Sequence, residues 1–295
     1  MVIRLVIETL DEWQHDNASR QGAALAFYGL FACAPLLLLA TAILGAVFGE
    51  QTARDELSAQ LAVLTTDEVA HTVLRLVELS ARSQTDFRAS VIGALTLLFG
   101  AFRGLLHLQA TLNLIWGVRA NRRGSFLVVA QRHLVAFGSM LFTGVLLLTS
   151  IAVSMVLRSI ALSAAGALPR HWVWLRLTED LSTGLLGMTF IAIVFKTLSD
   201  ARLQWRDALV GAAVSAGLLV LGKHVMAWYL REIVQASAFG ATGAVIGVLI
   251  YAYYMAQVVL FGAEFAFVLA RNVGDPIEPG PNAVRVRRLF EGIEA

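Results

Sequence analysis

The sequence predicts an all-α, polytopic membrane protein with six transmembrane helices, on two observations. Of its 295 residues, 58% are hydrophobic and only 15% are charged, whereas soluble domains usually have about 25% charged residues. In addition, three stretches contain no charged residue: positions 21–49, 134–157 and 233–263. Each stretch is longer than the roughly 20 residues that an α-helix needs to cross a bilayer core. They therefore predict three membrane spans.

Three further apolar segments contain basic residues. Lys196 lies near the end of its segment, where a lysine reaches the headgroups at little cost, and Lys223 is tolerable for the same reason. Arg103 lies near the middle of its segment, where a charge is expensive. We predict one membrane domain over residues 1–272 and a polar cytoplasmic tail over residues 273–295. The predicted spans lie at about 23–48, 89–118, 134–157, 181–199, 208–230 and 242–268.

The basic residues other than Arg103 and Lys223 predict the orientation. The N-terminal arm, the second-to-third connection, the fourth-to-fifth connection and the tail hold 13 of them, and the segments on the other side hold 8. Because cytoplasmic loops carry an excess of Lys and Arg, both termini are predicted to be cytoplasmic.

Amphipathic patterns flank the spans. The first 20 residues are typical of a short helix at the cytoplasmic surface. Residues 52–83 contain two capping-box spacings, each followed by apolar residues at helical intervals, which predicts two amphipathic helices on the outer side. Prolines in the tail exclude a helix, and we expect this segment to be mobile.

Small residues four apart recur within the spans and predict close helix–helix contacts. These pairs are Gly45 and Gly49, Gly100 and Gly104, Gly211 and Ser215, and Gly243 and Gly247.

The sequence predicts no enzyme, cofactor or metal site. The single cysteine, Cys33, excludes an intramolecular disulfide and a thiolate metal cluster. The six histidines follow no ligand spacing, and no zinc, phosphate-loop or Ser-His-Asp signature is present. A net charge of +2 gives no reason to expect a nucleic-acid partner.

Polar residues form stripes within two predicted spans. At 100° per residue, Tyr253, Gln257 and Glu264 share one face of the last span, which also contains Gly262. In the first span, Gln21, Tyr28 and Pro35 do the same. Pro35 is also a candidate helix kink. Two such stripes indicate a shared polar interior.

The second span has two polar faces. Arg103 and His107 lie on one, and Asn113 lies on another with Gln109. A charge near the bilayer centre favours a partner or a water-filled pocket. Glu264 is a suitable partner for Arg103 or for Lys223, and it either satisfies such a basic group between helices or lines the cytoplasmic end of a groove.

Three stretches resemble the YihY/BrkB family of bacterial inner-membrane proteins. The first is AALAFY at 23–28 leading to APLL at 34–37. The second is Leu112-Asn113 followed by IWGV at 115–118. The third runs from FGATG at 239–243 through YYMAQ at 253–257 to LFGAE at 260–264. The family commonly has a proline immediately before the aspartate of the fourth-to-fifth connection, where this chain has Ser199 before Asp200.

The resemblance implies an all-helical, multi-pass protein of the bacterial inner membrane, but it does not supply an activity. The family was once labelled as a tRNA-processing ribonuclease, and some members are associated with virulence, envelope lipid export or ion transport. The main hypothesis is a transporter-like protein whose polar-lined groove moves an anionic, amphipathic lipid-type substrate or an ion. The alternative is an envelope structural or assembly partner, as a homo-oligomer or with another protein. A ribonuclease is disfavoured by the scattered histidines.

Overall fold

The computed structural model describes residues 2–52, 54–55, 57–58, 87–120, 138, 171–236, 240–281 and 283–286. The helices are α1 (Val2–His15), α2 (Ala18–Phe48), α3 (Phe87–Ile115), α4 (His171–Leu198), α5 (Trp205–Ala236) and α6 (Gly240–Asn272). The strands are β1 (Val118–Ala120), β2 (Ala201–Arg202), β3 (Glu278–Pro279) and β4 (Ala283–Arg285).

Helices α2 to α6 cover five of the six predicted spans. The predicted span at 134–157 lies outside the described residues, and so does most of the amphipathic pair predicted over 52–83. In the described part of the chain, Trp205–Val225 and Ile246–Asn272 are long and apolar enough to cross a membrane, and Gly184–Leu198 is a shorter apolar helix. The predicted fold class is therefore confirmed as mainly helical, with membrane-length apolar segments.

Helix α6 is central to the described fold. It contacts α5, α2, α1 and α3, while α4 packs on α5 and α3 packs on α2. A buried core joins α6 to the ends of α3 and α4, where Trp116 donates its indole N–H to the carbonyl of Ala263 (3.2 Å) and meets Phe195 edge to face at 5.8 Å. We call this end of the bundle the strand end, because the four strands pair there.

Two of the predicted small-residue contacts are present. A Cβ added at Gly262 of α6 would lie 1.9 Å from Ser215 Oγ and 2.6 Å from Gly211 O, so α5 and α6 meet through these three residues. Gly100 and Gly104 make the corresponding room on α3 for Phe31 and Tyr28 of α2. Close backbone approach of this kind provides packing energy between helices in lipid.

The pair Gly45 and Gly49 was predicted to be a helix–helix contact, but in the described part of the chain it forms the end of α2. Gly49 has φ +91°, and its N–H donates to the carbonyl of Gly45. A residue at positive φ ends a helix without the steric cost that a side chain would add. The pair therefore terminates α2. Gly243 and Gly247 both lie in α6, where Gly247 is buried.

The segment after α6 was expected to be mobile, but the structure pairs it with two connections. Strand β4 pairs antiparallel with β1, and β3 pairs antiparallel with β2. The N–H of Gly280 also donates to the carbonyl of Asp200 at 2.8 Å. No helix follows Asn272 in the described residues, as predicted, but β4 and β3 pair with β1 and β2, which follow α3 and α4.

Helix α1 packs along the end of α6. Leu5 is buried in a cluster with Phe265, Val268 and Leu269. Ion pairs then join Arg271 of α6 to Glu12 of α1 at 2.5 Å and to Glu8 at 3.6 Å, consistent with the predicted amphipathic helix. All four stretches predicted to be cytoplasmic have described residues at the strand end.

Candidate functional site: a polar pocket where the first two helices meet

A cavity of about 460 Å³ opens at the strand end between the α1–α2 connection and α3. We call it the junction pocket, and its lining residues are His15, Asp16, Asn17, Arg20, Gln21, Ala24, His107 and Leu114. Its volume lies within the range of typical small-molecule sites. Five of its eight lining residues follow one another closely in the sequence, because α2 begins almost directly where α1 ends.

A left-handed residue makes this tight connection. Asn17 has φ 52° and ψ 41°, a conformation that asparagine tolerates better than most residues. Its carbonyl accepts hydrogen bonds from the N–H groups of Arg20 and Gln21, which begins α2. Its side-chain amide donates to His15 O (3.4 Å) instead of capping α2. The positive end of the α2 dipole therefore lies at the pocket.

His107 forms the α3 side of the pocket. Its ring packs against Tyr28 of α2 with centroids 5.6 Å apart. Its Nε2 atom is buried and has no hydrogen-bond partner within the described part of the chain. A buried nitrogen of this kind costs free energy unless a ligand or water satisfies it.

Arg103 lies one helical turn from His107, away from the strand end. Its side chain is exposed, and its charge acts on the His107 ring. Four residues of α-helix correspond to a rise of about 6 Å. The shared face predicted for Arg103 and His107 thus continues from the junction pocket toward the middle of α3.

An amphipathic stripe leaves the pocket along α2. Arg20, Ala24, Phe27 and Phe31 fall within about 60° of one another on a helix. Phe27 is 55% exposed and Phe31 is 37% exposed, and their rings meet at 5.0 Å. The stripe therefore presents a guanidinium at the pocket and two aromatic rings farther from the strand end.

The polar stripe of α6 faces the same α1–α2 connection from the other side. Gln257 donates to the carbonyl of Ser19 (3.2 Å). Gly22 makes room for it, since a Cβ there would lie 2.1 Å from the Gln257 amide nitrogen. Seven residues farther along α6, Glu264 is 0% exposed. Tyr253, at the other end of the stripe, is 37% exposed.

Lys223 belongs to a different site. Its ammonium lies 2.7 Å from Asp180 of α4, and His224 approaches the same carboxylate at 3.1 Å. The hydroxyl of Tyr254 donates to Leu218 O, which aligns α6 with α5. Leu218 and Tyr254 are therefore at the same level of the bundle, and Lys223 and Glu264 lie on opposite sides of that level. Their separation along the bundle corresponds to about 15 helical residues, or roughly 20 Å. Of the two candidate partners of Glu264, Lys223 therefore pairs with Asp180 instead.

Asn113 does not line the pocket. Its amide donates to Asp200 Oδ2 (2.7 Å), and its Oδ1 accepts from Ser199 Oγ and from the Asp200 N–H. Ser199 Oγ also accepts from Ala201 N at 2.9 Å. Ser199 occupies the position where the resembled family commonly has proline, and its hydrogen bonds hold the turn.

Pro35 lies within α2, which is helical on both sides of it. The side chain of Pro35 lies outside the described residues. Among the residues that the structure describes, no three His, Cys, Asp or Glu side chains are grouped so that they could hold a metal ion.

The described apolar helices are long enough for an α-helical membrane protein. A family model described as Virulence factor BrkB matches residues 9–287, which is nearly the whole chain. The chain belongs to this family, as the resemblance of its motifs indicated. No solved structure matches it.

Curated relatives of the chain are named UPF0761 membrane proteins. One from Methylibium petroleiphilum is 32% identical over 287 residues, covering 90% of this chain and 65% of its own length. One from Chromohalobacter salexigens is 26% identical and covers 90% of this chain and 63% of its own length. One from Legionella pneumophila is 25% identical, with coverages of 90% and 62%. The chain thus spans less than two thirds of the length of these relatives.

Sequence reasoning did not find the part of the pocket formed by His15, Asp16, Asn17 and Arg20. In the sequence, Arg20 is one of the basic residues of the N-terminal arm, and His15 is one of six scattered histidines. The usable signal was the polar Asp16-Asn17 pair between two helical patterns, since asparagine favours turns and the left-handed conformation.

Proposed function

We propose that this protein is a transporter-like, multi-pass protein of the bacterial inner membrane that moves an anionic, amphipathic lipid-type substrate. The observation that carries the proposal is the junction pocket together with the stripe on α2. The pocket presents Arg20, two histidines and the positive end of a helix. The stripe presents Phe27 and Phe31 beyond Arg20. A phosphate-bearing headgroup fits the first and an acyl chain fits the second.

We orient the strand end toward the cytoplasm. The four stretches that together hold 13 of the basic residues have described residues there, which agrees with the positive-inside rule. Lys196 also donates to the carbonyl of Leu203 and lies over the ring of Trp205 at 5.6 Å, an arrangement typical of the membrane–water interface. In this orientation the pocket opens at the inner leaflet, and membrane lipids are the partners.

A lipid-type substrate explains the site better than an inorganic ion does. An ion needs only the polar lining of the pocket, whereas the exposed aromatic rings continue directly from Arg20 along the same face of α2. Arg103, one turn beyond His107, would give an anionic headgroup a second contact farther into the membrane. We propose no catalytic role for these residues.

The test is movement of a labelled anionic phospholipid across proteoliposomes containing the purified protein, with an ion-flux measurement in parallel. We expect Arg20→Gln and Arg103→Ala to slow lipid movement by about tenfold each, since each removes a charge-assisted hydrogen bond. Arg202→Gln is the matched control, because Arg202 is exposed at the same end but does not line the pocket.

The outcomes separate the possibilities. Lipid movement that depends on Arg20 but not on Arg202 supports the proposal. Ion flux with the same dependence would replace the lipid by an ion. Wild-type protein that moves neither, while remaining folded, would refute autonomous transport and favour an assembly role.

A further inference from the structure

A cluster of ionisable side chains joins α4 to α5 away from the junction pocket. The Lys223 ammonium donates to Asp180 Oδ1 at 2.7 Å, and His224 Nε2 lies 3.1 Å from Asp180 Oδ2. The Lys223 side chain is 9% exposed, whereas that of His224 is 58% exposed. We call these three residues the outer cluster. It combines a largely buried ion pair with an accessible histidine.

The outer cluster lies far from the strand end. Asp180 precedes the end of α4 at Leu198 by about 18 residues, and Lys223 follows the start of α5 at Trp205 by about 18 residues. At about 1.5 Å per residue, both lengths are roughly 27 Å, which is close to the thickness of a bilayer core, about 30 Å. In the proposed orientation, the outer cluster therefore lies at the outer boundary of the membrane, within reach of protons from that side.

The contacts assign the hydrogen position of the neutral His224 ring. An ionised carboxylate only accepts hydrogen bonds, so Nε2 carries the hydrogen that Asp180 accepts. Nδ1 is then the nitrogen that takes up a further proton. Because the charges of Lys223 and Asp180 cancel, this uptake changes the outer cluster from neutral to positively charged.

The other titratable groups around the outer cluster belong to α6 and to the flanking turns of α4 and α5. On α6 they are Tyr251, Tyr253 and Tyr254, which the bond of Tyr254 to α5 places beside this part of α5. Tyrosine keeps its proton at neutral pH. The flanking turns hold Arg176, Glu179, Arg231 and Glu232, whose side chains lie outside the described residues. Among the described side chains at this level of the three helices, His224 is therefore the one of a type that changes its charge between about pH 5 and 8.

We propose that the outer cluster is a proton-binding site that sets how tightly α4 is held against α5. A proton from the outer side adds to Nδ1 of His224, and Nε2–H then donates a charge-assisted hydrogen bond to Asp180. Such bonds are roughly twice as strong as neutral ones. Asp180 then binds two cations of α5, one at each of its oxygens. Ionisable side chains on apolar helices are often parts of proton pathways, which agrees with this assignment.

The outer cluster gives the proposed function a dependence on the acidity of the outer side, and this consequence rests on that function. A transporter that works by alternating access must open its outer end. Protonated His224 keeps the outer parts of α4 and α5 together, so lipid movement slows as the pH of the outer side falls.

The first test measures the separation of α4 and α5 in the full chain in lipid nanodiscs. Spin labels are attached at Leu181→Cys and Trp228→Cys, since both side chains are exposed and flank the outer cluster. The background is Cys33→Ser, because Cys33 is the single cysteine. We expect the distribution of label distances to be about twofold narrower at about pH 5.5 than at about pH 8. A distribution that is the same at both pH values, or wider at the lower one, would overturn the proposal.

The variant His224→Gln keeps a hydrogen-bond donor for Asp180 but takes up no proton. We expect its distance distribution to be the same at both pH values and to match that of the labelled parent protein at about pH 8. His171→Gln is the matched control and should keep the parent response, because His171 begins α4 about nine residues before Asp180. A pH response that persists in His224→Gln would assign the proton to another group and overturn the proposal.

Lipid movement in proteoliposomes separates this proposal from the proposed function. The probe is labelled phosphatidylglycerol, whose charge is the same at both pH values. We expect the wild-type protein to move it about tenfold more slowly at about pH 5.5 than at about pH 8, and His224→Gln to show no such slowing. A pH-dependent distance distribution without lipid movement would overturn the proposed function alone. Lipid movement with pH-independent distances would overturn the proton-binding site alone.

Discussion

Replacing Gly262 by alanine should destabilise the contact between α5 and α6. The new Cβ would lie 1.9 Å from Ser215 Oγ and 2.6 Å from Gly211 O, and one of these is backbone. Overpacking of this kind costs about 1–3 kcal/mol. Moving Ser215 would also break its hydrogen bond to Val258 O (3.0 Å), and such bonds between membrane helices contribute about 0.6 kcal/mol on average.

The matched control is Gly217→Ala on α5, where a Cβ would meet nothing within 4 Å. Both substitutions gain helix propensity, so their difference isolates the steric effect. We expect Gly262→Ala to be less stable than Gly217→Ala by about 2 kcal/mol or more. The measurement is reversible denaturant unfolding in micelles, followed by circular dichroism.

Adding Ser215→Gly to Gly262→Ala should restore only part of the stability, since the carbonyl of Gly211 still opposes the methyl group. Equal unfolding midpoints for Gly262→Ala and Gly217→Ala would refute the close contact described for these helices.

Three other predictions follow from individual contacts. Gly22→Ala should displace the Gln257 amide from Ser19 O and slow lipid movement, whereas Gly29→Ala, which meets nothing within 4 Å, should not; equal rates would contradict this. Lys223→Met should destabilise the protein by about 1–3 kcal/mol, because it leaves the Asp180 carboxylate without its closest cation. Adding Asp180→Asn should recover part of that loss in the same unfolding assay, and no recovery would argue against the pair. Hydrogen bonds from Arg4 and Asn272 hold the pKa of Glu8 below its usual value of 4.5, so the docking of α1 should weaken as the pH falls through the lowered pKa. The emission of Trp13 reports this, and Glu8→Gln should reduce the pH dependence, with the ion pair of Glu12 and Arg271 accounting for the remainder.

The helices could be predicted from the sequence because their signal is local. An uncharged run of more than about 20 residues has few alternatives to a membrane helix. The tail strands could not be predicted in this way. Strands β1 and β4 have three residues each, and β2 and β3 have two, so their pairing depends on partners brought close by the helices. No periodic pattern exists over such short segments.

The side-chain sites were predictable only in part, for a related reason. The shared face of Arg103 and His107 follows from helical spacing alone. The pairing of Lys223 with Asp180 joins two helices, and the sequence does not give their alignment. His15 and Arg20 come together with His107 because of the left-handed Asn17, a single backbone conformation that several residue types adopt.

The position of Glu264 connects the two sides of the α1–α2 connection. It lies between Gln257, which bonds to Ser19, and Arg271, which pairs with Glu12, with seven residues of helix on each side. Seven residues bring a side chain back to nearly the same face, so Glu264 also faces the connection. It is fully buried and does not line the junction pocket. We therefore interpret Glu264 as a residue that supports the α1–α2 connection from the α6 side. Arg20 and His107 line the junction pocket on the other side of this connection.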